Sequence, residues 1–371
     1  MIAYIVRRLL LLIPTLFVIM LINFVVLQFL PGGPVEQIIA ELTGEGAAIT
    51  ERVTRTGSSE ISTQTGGGGG ASSEGPRGDY RGAQGLDPAF IADLERQFGL
   101  DKPIHERFFL MMRNYLVFDF GNSFFRDQSV VELMLDKMPV SISLGIWSTV
   151  IIYLIAIPLG VAKAVRDGAR FDIWTSGLVI VGTAIPGFLF AVFLLVVLAG
   201  GVYLELFPLT GLTSTGWEAM PLYEKVLDYL WHLVLPVLAL SIGGFAGLTM
   251  LTKNSFLDQI GQQYVITARA KGLEERRVLY GHVFRNAMLI VISGFPATLI
   301  GMLFTGSVLI EVIFSLDGLG LLGFEAVFNR DYPIVLGTLY FFTLFGLLMG
   351  LITDLTYTLI DPRIDFETRE T

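Results

Sequence analysis

The chain has 371 residues, of which 53% are hydrophobic and only 16% charged, with a mean hydropathy of +0.65. Soluble domains carry about 25% charged residues, so the composition excludes a disordered chain and argues against an ordinary soluble enzyme. A net charge of −9 speaks against nucleic acid as a partner, and the absence of cysteine excludes disulfides, Cys-based metal sites and thiol catalysis.

Leu9–Leu30 is uncharged and follows Arg7-Arg8. The run exceeds the roughly 7–15 residues of a signal-peptide core, and no small-x-small site follows it. It predicts an uncleaved transmembrane helix within residues 1–30, with Arg7 and Arg8 holding the N-terminus in the cytoplasm. Residues 31–137 contain no run long enough to span and read as an exported, periplasmic insert. Ten Lys/Arg and sixteen Asp/Glu place −6 of the net −9 there. Within it, 57–85 is Gly/Ser-rich and reads as a disordered linker. A helix is predicted from Asp87-Pro88 to about Phe98, and a second from near Pro103 to about Leu116, presenting Phe108, Met111, Met112 and Tyr115 at helical spacing.

From residue 138 to 360 uncharged runs alternate with polar breaks: Val140–Ala162, Ile173–Leu204, Tyr229–Thr252, Asn286–Ile310 and Tyr332–Thr353. Each can cross a hydrocarbon layer of about 30 Å. The reading is an all-α polytopic membrane protein with six transmembrane helices, both termini on one side and a short tail at 361–371. Pro158, Pro186, Pro236 and Pro296 fall inside runs. The short loops assigned to the inside hold Lys163, Arg166, Arg170, Lys253, Arg269, Lys271, Arg276, Arg277 and Arg285, against Lys225 and Arg330 outside. That asymmetry puts both termini in the cytoplasm.

The longest inner loop, 253–285, reads as two short helices. Tyr264–Lys271 is one, stopped by Gly272-Leu273. Glu274–Arg285 is the other, with Val278, Leu279, His282 and Val283 on one face. Pattern alone leaves two readings open, a solvated positive-inside connection or a docking element for a cytoplasmic partner.

The string Tyr264-Val265-Ile266-Thr267-Ala268-Arg269-Ala270-Lys271-Gly272, followed by His282-Val283-Phe284-Arg285-Asn286-Ala287, resembles the EAA loop of ABC importer permeases. It departs from the general Glu-Ala-Ala pattern and matches the oligopeptide/dipeptide variant. Arg7-Arg8-Leu9-Leu10, Pro31-Gly32-Gly33-Pro34, Asp119-Phe120-Gly121-Asn122-Ser123, Glu311-Val312-Ile313-Phe314 with Gly318-Leu319-Gly320, and Asp361-Pro362-Arg363 are similar to the same family's elements. The Gly-rich insert and the ending Arg363–Glu367 look most like its YejB-type subgroup. The resemblance implies the type I (MetI-like) permease fold with an insert between helices 1 and 2, in the bacterial inner membrane. It implies a non-catalytic subunit that imports oligopeptides, antimicrobial peptides included. Its partners would be a second homologous permease, ABC ATPase subunits and a periplasmic substrate-binding protein. Tyr264, Val265, Thr267, Ala268, Arg269, Ala270, Lys271 and Gly272 would form the coupling helix, packed by Val265, Ile266 and Ala268.

Thr305, Ser307 and Glu311 are candidates for the translocation path or gate. For Glu311 the competing readings are an interfacial carboxylate paired with a neighbouring chain and a cap of the following turn. Asp354 reads as an interface or snorkelling residue, and Gly243/Gly247 as a close helix contact. No GxxxxGK[ST] motif is present, so no P-loop site exists. The three histidines are far apart, and no metal or cofactor is expected. Asp119-Phe120-Gly121 spells a kinase triplet without the loop that would accompany it. An ion-coupled transporter or channel using Glu311 and Asp354, and a membrane receptor or scaffold, are the alternatives outside the family.

Overall fold

The uncharged runs fold as helices, and prolines and glycines decide where they break. The computed structural model describes residues 2–29, 35, 101–201, 203–304 and 308–360. The Gly-rich stretch, the predicted helix at 87–98 and the tail lie outside the described residues.

Among the described residues four helices are long and apolar enough to cross a bilayer: α1 (Ile2–Phe29), α3 (Val130–Val165), α6 (Leu222–Ile260) and α13 (Tyr332–Ile360). Between α1 and α3 lies α2 (Ile104–Tyr115), within one residue of its predicted bounds, with Phe108 and Tyr115 buried. Pro158 in α3 and Pro236 in α6 leave their helices unbroken. The run at 173–204 behaves differently. It divides into α4 (Arg170–Ala184) and α5 (Gly187–Leu198), bent by 92°. Pro186 drives the preceding Ile185 to φ −86°, ψ 117°, out of the helical region. Counted as one span, the pair makes five.

The predicted fifth run is not one helix. It consists of α9 (Phe284–Ser293), α10 (Phe295–Phe304) and α11 (Val308–Ile313). Gly294 ends α9, and Pro296, which has no N–H to donate, sits at the restart. Shorter helices include α7 (Gln263–Ala270) and α12 (Leu319–Phe328).

The described chain divides into two compact units. One draws on Met1–Leu16, Leu133–Phe324 and Phe341–Thr371, the other on Phe17–Glu132 and Glu325–Tyr340. Among its described residues the first holds two apolar clusters. Leu144, Leu194, Leu233, Leu235, Ile310 and Phe314 build one. Val161, Ala164, Phe256, Val265, Ala268, Val278, Val283 and Ala287 build the other. Between α3 and α6 the backbones nearly touch at Gly160. A Cβ there would lie 2.6 Å from Thr252 Cβ and 2.8 Å from the Thr249 carbonyl oxygen. Arg8 pairs with Asp354 at 2.8 Å, and Tyr4 donates to the same carboxylate at 3.0 Å. The N-terminal arginine and the carboxylate of the last helix therefore neutralise each other.

In the second unit Phe108 packs on Phe17 and Phe24, with centroids 5.4 and 5.3 Å apart, while Tyr115, Phe120 and Tyr340 form an edge-on aromatic group. The Asp119–Ser123 string is a turn element. Asp119 Oδ1 accepts from Gly121 N at 3.0 Å, Gly121 has φ +78°, and Ser123 Oγ donates to Asp331 at the start of α13.

The Gly160 seam yields a prediction. Gly160→Ala forces the α3 and α6 backbones apart, because the Thr249 carbonyl cannot rotate away. We expect a loss of about 1–3 kcal/mol, read as a lower midpoint of thermal unfolding in detergent; an unchanged midpoint refutes the close contact.

Candidate functional site

The basic loop folds onto the bundle through α7. Its first turn is set by Gln262 in extended conformation, and Tyr264 Oη donates to Gln259 Oε1 at 2.9 Å. Its last turn is a Schellman stop, as the Gly-Leu pair predicted. Gly272 N donates to Arg269 O at 2.9 Å and Leu273 N to Ala268 O at 3.3 Å, with Gly272 at φ +77°. The left-handed conformation is the reason for glycine here. Leu273 then packs against the apolar cluster beneath α7.

That cluster fixes which side of α7 faces in. Val265 and Ala268 are buried among Val161 and Ala164 of α3, Phe256 of α6 and the helix after α7. Ile266 was expected to pack inward with them. It is 52% exposed instead. At about 100° per residue the inward arc of so short a helix holds positions 265 and 268, and 266 turns out. Thr267, Arg269, Ala270 and Lys271 are exposed beside it. Arg269 reaches across the stop to Glu275, its Nε and Nη2 donating at 3.1 and 2.5 Å. The pair holds the Glu275 carboxyl below its ordinary range.

The second loop helix does not end at Arg285. Chain 275–293 is continuous: α8 (Glu275–Val278), a π-helical segment Leu279–Val283, then α9. The π turn adds one residue and rotates the register. Val278 and Val283, five apart, are both buried, while His282, placed inward by a regular helix, is exposed.

Beside α7 lies a charge cluster that loop counting could not resolve. Lys163 and Lys253 were read as positive-inside residues. Lys163 has no exposed surface, and its Nζ meets Asp172 Oδ1 and the Asp172 carbonyl at 3.0 Å, Thr175 Oγ1 at 3.0 Å and Ser176 Oγ at 2.6 Å. Lys253 lies 2.7 Å from Asp172 Oδ2 and 2.8 Å from Asp167 Oδ1. The available signal for Asp172 was a carboxylate in the first turn of a run, just after the Arg166–Ala169 turn.

Glu311 is fully buried. Its Oε2 accepts from Leu321 N at 2.6 Å, in the first turn of α12, and its Oε1 from Ser141 Oγ at 3.3 Å. Ser141 Oγ in turn accepts from Leu319 N at 2.9 Å. A Cβ at Gly318 would fall on the carboxylate, 2.5 Å from its Cδ. The geometry is that of a carboxylate capping the next helix's orphan N–H groups. Thr305 and Ser307 lie outside the described residues. The chain on either side of them, Gly301 and Val308–Ile310, lines an apolar cavity of about 580 Å³ together with Phe188, Leu240 and Gly243. Among the described residues no group of three or more His, Asp or Glu is placed to hold a metal.

The family model described as "Binding-protein-dependent transport system inner membrane component" matches residues 156–366, which takes in α7, the Asp172 cluster and Glu311. The chain belongs to this family. It is accordingly a multi-pass inner-membrane permease subunit of an ABC importer, without catalytic activity of its own, and the family works with ATPase and substrate-binding partners. The chain is 58% identical over 367 residues to the inner membrane ABC transporter permease protein YejB of Escherichia coli O157:H7, covering 99% of this permease and 100% of that one. It is likewise 58% identical over 368 residues to the peptidoglycan transport system permease protein YejB of Agrobacterium fabrum, covering 99% of each. The oligopeptide transport system permease protein AppB of Bacillus subtilis is 32% identical over 371 residues, 99% of this chain and 100% of that protein. Among solved structures, a chain of the inward-facing MetNI methionine ABC transporter is similar at a TM-score of 0.45 and 15% identity, over 62% of this chain and 97% of that one. The expected resemblance to the YejB-type permeases thus holds along the full length.

Two substitutions test the site as a folded object. Gly272→Ala has room for its methyl but not the backbone preference, and should cost about 1–2 kcal/mol, with Gly272→Asn milder. Glu311→Ala leaves the Leu321 N–H without its acceptor and should cost about 1–3 kcal/mol, with Glu311→Gln milder. Thermal midpoints of the purified permease read both; equal midpoints for the Ala and the conservative variant contradict the assignment.

Proposed function

We propose that this chain is one of two homologous permease subunits of a peptide importer, that α7 is its coupling helix, and that both termini face the cytoplasm. The observation that carries the reading is the two-sided character of α7. Val265 and Ala268 are sunk in the permease's own core, while Ile266, Thr267 and Ala270 stand exposed with Arg269 and Lys271 beside them. The buried side makes α7 part of the bundle, and the bare side offers a cleft of the ATPase something to hold. Tyr264 anchors the entry turn, and Gly272 with the Arg269–Glu275 pair fixes the exit.

Closure of the ATPase pair then pushes α7 as a rigid element. The push reaches the spans as a rocking motion about a central site. The six spans are α1, α3, the bent α4–α5 pair, α6, the broken α9–α11 run and α13, with residues 31–137 on the periplasmic side, where a binding protein delivers substrate. Thr305 and Ser307 are assigned to the pathway, because their chain neighbours line the apolar cavity. Glu311 supports the gate from behind, through its hold on α12. Peptides are the substrate class that the name of the Bacillus relative favours. The name of the Agrobacterium relative favours peptidoglycan fragments as the second substrate reading.

The test uses the complete importer in liposomes. Ile266→Asp alters only an exposed side chain, so insertion and stability should be unchanged while ATPase association and peptide uptake fall at least about tenfold. Undiminished uptake sinks the coupling role. Uptake of oligopeptides against peptidoglycan fragments by the parent complex separates the substrate readings.

A further inference from the structure

The helix α4 is held in an unusual way. Its apolar side chains Ile173, Trp174, Leu178, Ile180 and Val181 are exposed, and the one buried residue of α4 is Asp172. The residue of α4 that is buried outright is thus a charge, while Phe171, Val179 and Gly182 are only partly buried. The carboxylate gathers three elements. Lys163 comes from the last turn of α3, and Lys253 from the cytoplasmic-loop end of α6, 81 residues further along the chain from Asp172. Gly168 N, in the turn joining α3 to α4, donates to Oδ2 at 3.1 Å. Two lysines meet two aspartates, so the cluster is neutral by count.

Its location is as telling as its chemistry. Lys163 sits between Val161 and Ala164, both members of the cluster that buries Val265 and Ala268 of α7. Lys253 precedes Phe256, another member, and follows Thr252, which closes on Gly160 of α3. The charge cluster, the α3–α6 seam and the bed of α7 therefore lie within about one helical turn of each other along both helices. Buried ion pairs are commonly replaceable by apolar residues without loss of stability. What this cluster supplies is fixed geometry, with directional bonds that set where α4 stands.

We infer that Asp172 is a positioning residue for transport. It fastens α4 to α3 and α6 as one block with α7, so that a push on α7 moves the α4–α5 span and does not bend the short turn at 166–169. The inference rests on, and deepens, the reading of α7 as the coupling helix.

The test again uses the complete importer in liposomes, with ATPase and binding protein. Lys163→Met combined with Asp172→Asn removes one cation and one anion together and leaves Lys253 paired with Asp167. We expect normal assembly and basal ATP hydrolysis, with peptide taken up per ATP hydrolysed falling about tenfold. The chain has no cysteine, so spin labels at Trp174→Cys and Tyr280→Cys, with partner subunits made cysteine-free, report the separation of α4 from the π segment. In the parent the distribution should be narrow and the same with and without ATP; in the paired variant it should broaden. Either an unchanged uptake-to-ATP ratio or an unbroadened distribution overturns the inference. Parallel loss of assembly and of both activities overturns it as well, since that marks a merely structural residue. Asp172→Asn alone leaves Lys163 buried without its anion and should be worse than the paired variant. An error in the coupling reading shows separately, because Ile266→Asp then leaves the ATPase attached whatever the Asp172 variants do.

Discussion

A lysine ammonium with no exposed surface, among helices made of apolar runs, is the constraint around which one end of this permease is arranged. Lys163 cannot be buried charged without an anion and a full set of acceptors. Asp172, Thr175 and Ser176 supply them, all from the first turns of α4. That demand brings α4 to the end of α3, needs the tight turn at Gly168, and leaves the second carboxylate oxygen for Lys253 of α6. The approach of α3 and α6 that this requires is permitted by Gly160, where no side chain intervenes.

The apolar counterpart of this arrangement is the bed of α7. Eight residues of amphipathic helix cannot be stable alone. They are held because Val265 and Ala268 complete a cluster that α3, α6 and the following helix have already begun. The Schellman stop satisfies the last carbonyls of α7 and directs Leu273 back onto the same cluster. The π turn at 279–283 keeps the next helix in register with it, presenting Val278 and Val283 inward and His282 outward. A regular helix would have turned the imidazole to the same face as the valines.

Breaks in the spans follow one rule with two outcomes. In a bilayer a freed carbonyl must find another partner. At Pro158, on an exposed stretch of α3, and at Pro236, buried in α6, the helix runs on. Where the proline stands beside a glycine or an extended residue, as at Ile185-Pro186-Gly187 and Gly294-Phe295-Pro296, the chain turns or restarts. Both turning points border the apolar cavity through Gly187, Phe188 and Thr298. Glu311 plays the capping part at a third break, holding the N-terminus of α12 from 10 residues away in sequence.

Much of this was legible in the residues, because hydropathy and turn chemistry are local. The uncharged runs became α1, α3, α6 and α13, α2 appeared within a residue of its predicted bounds, and Gly272-Leu273 stopped α7 as its sequence requires. The string 264–272 carried the family. Hidden from local pattern were the outward turn of Ile266, the extra residue at 279–283, the broken fifth run and the role of Asp172. Lys163 and Lys253 counted as loop charges on sequence alone, yet each is consumed by a carboxylate brought in by the fold. Sequence by itself determined which segments leave water and where the chain can turn, since those depend on each residue and its near neighbours. Tertiary structure alone decided which charges meet and which face of α7 is left bare, since those depend on contacts between residues as far apart as 81 and 170 positions.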